Sequence, residues 1–332
     1  MSNMNPDEIK TIEQPGEEQQ TLKTAVEAEK APIEKPKEEF EVIEEEPLPP
    51  VNEIKRFFRV FFRRKVVIFG TFLVLLILIC GLFPNQLAPN DPYKQNLLRS
   101  LEGPSLEFPL GTDELGRCLL SRIIHGARFA LLSGVLTVMV ASVIGTFLGL
   151  LAGFGGKFAQ EFIMRFCDAY ISIPQMFLIM IISMILGRGL WGIVIAVGIG
   201  SFPGYIRLVF GQVMTVKQND YIMASIAMGD SKLRIMFKHI LPNIVSPLII
   251  TMASGLSSAV MAEAGLSFIG LGIQPPNPAW GTMTNNGFTH LQSHPLLSLA
   301  PGIAIVLLVF GFNMIGDGIR DALDPKMRGV LD

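Results

Sequence analysis

The chain has 332 residues, half of them hydrophobic and only 17% charged. That composition is too apolar for an ordinary soluble domain and excludes a soluble catalytic core as the main body of the molecule. The near-neutral total hides an asymmetry, since residues 1–50 carry 14 acidic and 5 basic side chains while the remainder is net basic.

Taken in chain order, residues 1–50 are rich in Glu, Pro, Gln and Lys and lack apolar periodicity, so they are expected to form a disordered acidic tail. No apolar core follows Met1 early enough for a cleavable signal peptide, which makes the first apolar run an uncleaved anchor. Six runs have roughly the 20 apolar residues that a span of about 30 Å requires. They are Val66–Phe83, Phe129–Gly156, Ala169–Gly187, Gly189–Ile206, Ile240–Ala262 and Leu296–Ile315. The predicted fold class is an all-α polytopic membrane protein of six transmembrane helices.

Lys55, Arg56, Arg59, Arg63, Arg64 and Lys65 crowd before the first span and hold that end in the cytoplasm by the positive-inside rule. Six crossings return the C-terminus, with Arg320, Lys326 and Arg328, to the same side. The connection Phe268–Pro295 has no charged residue and falls outside, with Trp191 and Trp280 placed at the outer interface. Leu115–Leu132 reads as an amphipathic helix leading into the second span, its arginines Arg117, Arg122 and Arg128 snorkelling to the headgroups.

Between spans four and five lies a charged island, Tyr221–Pro242. Asn219 or Asp220 can cap a short helix over Ile222–Met228, and Gly229 can end it in the left-handed conformation. Asp230 or Ser231 can cap a second helix whose Leu233, Met236, Phe237 and Ile240 repeat as one apolar stripe. Pro242 is expected to stop that helix before span five. The result is a helix–turn–helix elbow suited to docking a soluble partner.

No catalytic constellation is present. His125, His239, His290 and His294 are dispersed without HExxH spacing, and Cys80, Cys118 and Cys167 lack metal or redox spacing. Gly153-Phe-Gly-Gly-Lys157 lacks the GxxxxGK[ST] spacing and reads as a turn ending a span. No cofactor, metal or nucleic-acid site is expected. Asp168 and Glu263 are the candidate pathway charges inside spans, with capping or hydrogen bonding as the competing explanation. Gly200, Pro203 and Gly204 form a candidate hinge.

Ala224-Ser225, Gly229 and His239-x-Leu241-Pro242 resemble the EAA loop of ABC-importer permeases, with Met223 where that family usually has Glu and Ser225 in place of the second Ala. Three further stretches resemble the C-type permeases of oligopeptide and dipeptide importers. They are Leu110-Gly-Thr-Asp-Glu-Leu-Gly-Arg117, Ala262-Glu-Ala-Gly-Leu-Ser-Phe-Ile-Gly-Leu-Gly272, and Gly316-Asp-Gly-Ile-Arg-Asp-Ala-Leu-Asp-Pro325. The resemblance implies a type I permease fold and a subunit without its own ATPase site. It implies a bacterial cell-membrane machine with a B-type permease partner, two ATP-binding subunits, an extracytoplasmic substrate-binding protein and a peptide substrate. Nickel chelate or glutathione is the alternative cargo, and a secondary transporter the alternative class. The implied organisation is tail 1–50, first helix and elbow 51–128, permease domain 129–318 and C-terminal tail 319–332.

Overall fold

Residues 53–323 are described by a computed structural model; the acidic tail 1–50, Lys326 and Arg328 lie outside the described residues. An amphipathic helix α1 (Glu53–Phe61) leads into α2 (Lys65–Leu82), α3 (Leu119–Phe154) and a bent pair, α4 (Lys157–Ile171) and α5 (Gln175–Leu186). Then follow α6 (Leu190–Val216), α7 (Asp220–Ala227), α8 (Leu241–Phe268), α9 (Trp280–Phe288) and α10 (Leu296–Leu323). Among the described residues the only β pairing is an isolated bridge between Thr112 and Cys118.

Five helices are long and apolar enough to cross a membrane, and the α4–α5 pair makes a sixth if it is one span. This is the all-α polytopic fold, but predicted span three is not straight. Its two halves meet at 94° across Ser172-Ile173-Pro174. Pro174 lacks a backbone donor and disfavours helical geometry at Ile173, which favours a break at this point. Glycines at positive φ, Gly187 (+86°) and Gly189 (+136°), then turn the chain into α6. Helix α6 continues past the predicted end at Ile206 to Val216, carrying Arg207 inside the span helix.

The tightest pairing in the bundle is α3 against α6, and glycine spacing explains it. Gly145, Gly149 and Gly153 recur every fourth residue on α3. A Cβ on them would lie 2.3 Å from Tyr205 Cβ, 2.7 Å from Val209 Cβ and 2.4 Å from Val213 Cγ1. Small residues at i, i+4 and i+8 let two backbones approach, which drives helix association where no hydrophobic effect exists between lipid-soluble helices. Elsewhere α10 closes the bundle, with Leu308 and Phe312 buried in a cluster that also contains Val260, Ala264 and Trp280.

At the Trp280 end the structure corrects three expectations. Helix α3 begins at Leu119, and residues 110–118 form a folded loop instead of the start of an amphipathic helix. Gly111 (φ +84°) and Gly116 (φ +70°) turn it, and a Cβ on Gly116 would overlap Asn96 O. The Asp113 carboxylate accepts from the backbone N–H groups of Leu115 and Arg117 and from Arg117 Nε at 2.7 Å. Arg117 and Arg122 do not snorkel, for they are 5% and 3% exposed. Arg122 donates to Pro92 O at 3.1 Å and to Pro276 O at 3.4 Å, tying the first loop to the segment after α8. These backbone acceptors and Asp113 make burial of a guanidinium favourable over reaching for water. Trp280 is likewise buried, not interfacial. It is 3% exposed and donates from Nε1 to Ile123 O at 2.9 Å, with Gly126 leaving room for its ring. Trp191, by contrast, is exposed.

Candidate functional site: the Gly229 elbow and the Asp168–Arg207 cleft

The chain leaves α6 at Lys217, whose Nζ donates to Gly153 O at 3.2 Å and sits over the Phe154 ring. Helix α7 follows after Asn219, which occupies the N-cap position in extended conformation although its side chain makes no cap bond. Ile222 is fully buried among Leu150, Phe154, Val213, Ile235 and Ile240, so the short helix is clamped on the ends of α3 and α6.

The turn itself is a Schellman motif. Gly229 N donates to Ile226 O at 3.0 Å and Asp230 N to Ser225 O at 3.2 Å, with Gly229 at φ +85°. Ser225, buried at 3% exposure, donates from Oγ to Asp230 Oδ2 at 2.6 Å, while Arg234 Nη1 holds Asp230 Oδ1 at 2.9 Å. Both donors favour the ionised carboxylate, and Ser225 and then Arg234 hold the Asp230 carboxyl below its ordinary value. Ser231 then caps the next helix, its Oγ accepting from Arg234 N. The sequence signal for this lock was Ser225 itself, the position where the resemblance calls for Ala.

Two details of the elbow differ from expectation. Pro242 does not end the second helix, which runs from Lys232 to Phe268 as one long element. The residues Ile235–Ile240 form a π-helical segment, with Leu241 N donating to Met236 O five residues back. The wider turn immediately ahead of Pro242 absorbs the missing donor, and Asn243 Nδ2 takes up His239 O at 2.6 Å. The extra residue in that turn also rotates the predicted stripe. Met236 and Ile240 face the core with Ile235 and Ile244, whereas Leu233 and Phe237 are 65% and 55% exposed.

The six predicted loop residues therefore share one elbow. Ser225 is buried, His239 and Leu241 are half-buried, and Ala224, Gly229 and Pro242 are exposed. Around them Tyr221, Met223, Ile226 and Met228 present exposed apolar surface on α7, and Met228 is 79% exposed. A cavity of about 490 Å³ lies between this elbow and the α3–α4 turn, lined by Phe154, Lys157, Lys217, Ile226, Asp230 and Ile235.

A second group gathers at the α4–α5 bend. Tyr170, Pro174, Gln175, Gly200, Pro203 and Gly204 line a cavity of about 310 Å³. Just beyond it, Arg207 Nη2 meets Asp168 Oδ1 at 2.6 Å. Sequence reasoning found Asp168 but ended the span before Arg207, so the pair became visible only when α6 proved longer. Pro203 sits inside a continuous α6, and Gly200 is a close contact, since a Cβ there would lie 2.5 Å from Ile179 Cγ1. Glu263 stands apart from both groups. It is 3% exposed within α8 and accepts from Ser267 Oγ at 2.7 Å.

The family model for the inner membrane component of binding-protein-dependent transport systems matches residues 145–329, which contain the whole elbow and the α6 pair. The chain belongs to that permease family. The model for the N-terminal TM domain of oligopeptide transport permease C matches residues 53–104. Among curated relatives, the di/tripeptide transport permease DppC of Pseudomonas aeruginosa is 44% identical over 285 residues, covering 84% of this chain and 94% of its own. The glutathione transport permease GsiD of Pectobacterium atrosepticum is 39% identical, covering 82% and 91%. Among solved structures, the inward-facing MetNI methionine ABC transporter shares the fold at TM-score 0.52 and 20% identity, covering 62% of this chain and 98% of its own. The permease is thus a multi-pass membrane subunit of an ABC importer, an assembly that also includes a partner permease, an ATPase and a substrate-binding protein.

Proposed function

We propose that this permease forms half of the translocation pathway of an ATP-driven importer of short peptides and receives the ATPase stroke through the Gly229 elbow. The observation that carries this reading is the mechanical character of the elbow. Its turn is fixed by three polar side chains, its base is clamped by Ile222 and Ile235, and its outer surface is apolar and exposed. Exposed apolar surface on a rigid projection is what a protein partner buries. Because the second elbow helix runs unbroken into α8, a displacement of the elbow is passed directly to a membrane helix.

In this reading the ATP-binding subunits are two separate chains, the pathway partner is a B-type permease, and an extracytoplasmic receptor delivers cargo. The elbow and both termini lie in the cytoplasm, supported by Lys55 to Lys65 before the first span. The chain divides into tail 1–50, first helix and loop 51–128, permease domain 129–318 and C-terminal tail 319–332. Peptide is the favoured cargo because the 44% identical relative carries di- and tripeptides. Glutathione, itself a tripeptide, is the second reading, favoured by the 39% identical relative.

Affinity purification from native membranes, with mass spectrometry of co-purifying chains and ligands, tests the proposal. Two ATPases, a second permease and a receptor loaded with peptides are expected. Recovery of the intact membrane complex with no ATPase would overturn the coupling role of the elbow.

A further inference from the structure

Three features of the Asp168–Arg207 pair set it apart from the other ion pairs among the described residues. It joins two helices of the apolar bundle, and its side chains are nonetheless 62% and 47% exposed. Arg207 lies seventeen residues into α6 from Leu190, about 26 Å along the helix. That puts it toward the inner end of a span of about 30 Å, where an exposed charged pair between two helices lines a water-filled or protein-lined space in preference to lipid. The exposed side of α6 supports this, because Gly204, Arg207, Gly211 and Thr215 follow one another at helical spacing. Gly204 and Gly211 have nothing within 4 Å of the position of a Cβ, so the guanidinium stands between two open notches.

We infer that Asp168 and Arg207 form a binding station that recognises the free ends of a peptide in transit, Arg207 taking the terminal carboxylate and Asp168 the terminal ammonium. This rests on the reading of the protein as a peptide-importer subunit. The contact between the two is made through one nitrogen and one oxygen, leaving N–H groups of Arg207 and the second oxygen of Asp168 for a ligand. In the empty protein each charge compensates the other. A zwitterionic peptide that enters between them replaces one ion pair by two, so neither side chain is left as a lone desolvated charge. The adjoining cavity of about 310 Å³, lined by Gln175, Ser201 and Gly204 beside Ile173 and Leu178, offers mixed rather than selective surface to the residues of the peptide. A station that reads ends and ignores side chains suits a pathway for peptides of varied sequence.

The test uses the full complex in membranes, with Cys80, Cys118 and Cys167 replaced by Ala and single cysteines placed by Gly204→Cys or, independently, Thr215→Cys. The open space at Gly204 accommodates the new side chain. Anionic and cationic methanethiosulfonates report access and local charge. Labelling of both positions is expected, faster with the anionic reagent at 204. Arg207→Gln should lower the anionic-to-cationic rate ratio there roughly tenfold, since the charge lies one helical turn, about 5–6 Å, away. Alanyl-alanine should slow labelling at 204 and its C-terminal amide should not, and Arg207→Gln should abolish that difference. Absence of labelling at both positions means the face is covered by lipid or the partner permease, and overturns the station. Equal protection by the acid and the amide, or none by either, overturns it as well. Co-purification of the ATP-binding subunits, scored in the same membranes, separates the two claims. A complex with its ATPases but no labelling sinks the station alone, whereas loss of the ATPases sinks the coupling reading while labelling still decides the station.

Discussion

Around Gly229 there is open space where a Cβ would stand, so a side chain there meets only its own backbone at φ +85°. The expected cost of Gly229→Val is therefore conformational, at least about 1–2 kcal/mol at the turn. Asn, which tolerates this region, should be accepted. Peptide-stimulated ATPase activity should fall in Gly229→Val and survive in Gly229→Asn; equal loss in both would point to a steric role for the glycine. Asp230 supplies a second expectation. Because Ser225 and Arg234 hold its carboxyl below the ordinary 3.8, the ionised form stabilises the folded elbow. That contribution is complete above about pH 5 and disappears as pH falls through the lowered value. Hydrogen-exchange protection at residues 225–234 should decline on acidification in the wild type and show no such step in Asp230→Asn. Between pH 5 and 8 this group should contribute no change.

Helix packing carries the next expectations. The α3–α6 contact depends on Gly145, Gly149 and Gly153, whose neighbours are backbone atoms, the Tyr205 and Val209 Cβ atoms and the stiff β-branched side chains of Val209 and Val213. Gly149→Leu should overpack this seam by about 1–3 kcal/mol or more, and thermal unfolding of the purified complex measures it. Gly211→Leu, on the open side of α6, should leave the unfolding temperature unchanged. Removal of the Trp280 ring should be costlier still. Trp280→Ala creates a cavity against Gly126 and deletes the bond to Ile123 O, an expected loss of about 3–5 kcal/mol. These substitutions also show why GxxxG spacing on α3 was the legible but overlooked signal in the sequence, while the partner residues Tyr205, Val209 and Val213 were not. Nothing in a linear pattern says which apolar face a glycine stripe meets.

On the scale of the molecule, the buried arginines of the Trp280 end hold together segments far apart in sequence. Arg122 bridges Pro92 and Pro276, and Asp113 organises Arg117 beside it. Arg122→Gln should loosen both loops at once, detected as new protease sensitivity near residues 92 and 276 with the elbow unaffected. The acidic tail enters none of the matched family regions, which begin at residue 53. Its deletion, residues 1–50, is expected to leave peptide uptake unchanged, and a loss of uptake would assign it an essential role.

Length, hydropathy and turn chemistry determined by themselves that this chain crosses a membrane several times and carries a charged elbow turned at Gly229, because span length and turn chemistry are local properties, and four ordered motifs added the resemblance to permeases. The resemblance to the EAA loop put Ala224, Ser225, Gly229, His239, Leu241 and Pro242 in one loop. Tertiary structure decided the rest. It bent span three at Pro174, carried the elbow helix unbroken into α8 through a π turn, and buried Arg117, Arg122 and Trp280. It also brought Asp168 to Arg207, thirty-nine residues away. In each case the outcome depended on acceptors or packing partners supplied by distant segments, and a residue's hydropathy carries no record of which partner the fold will bring to it.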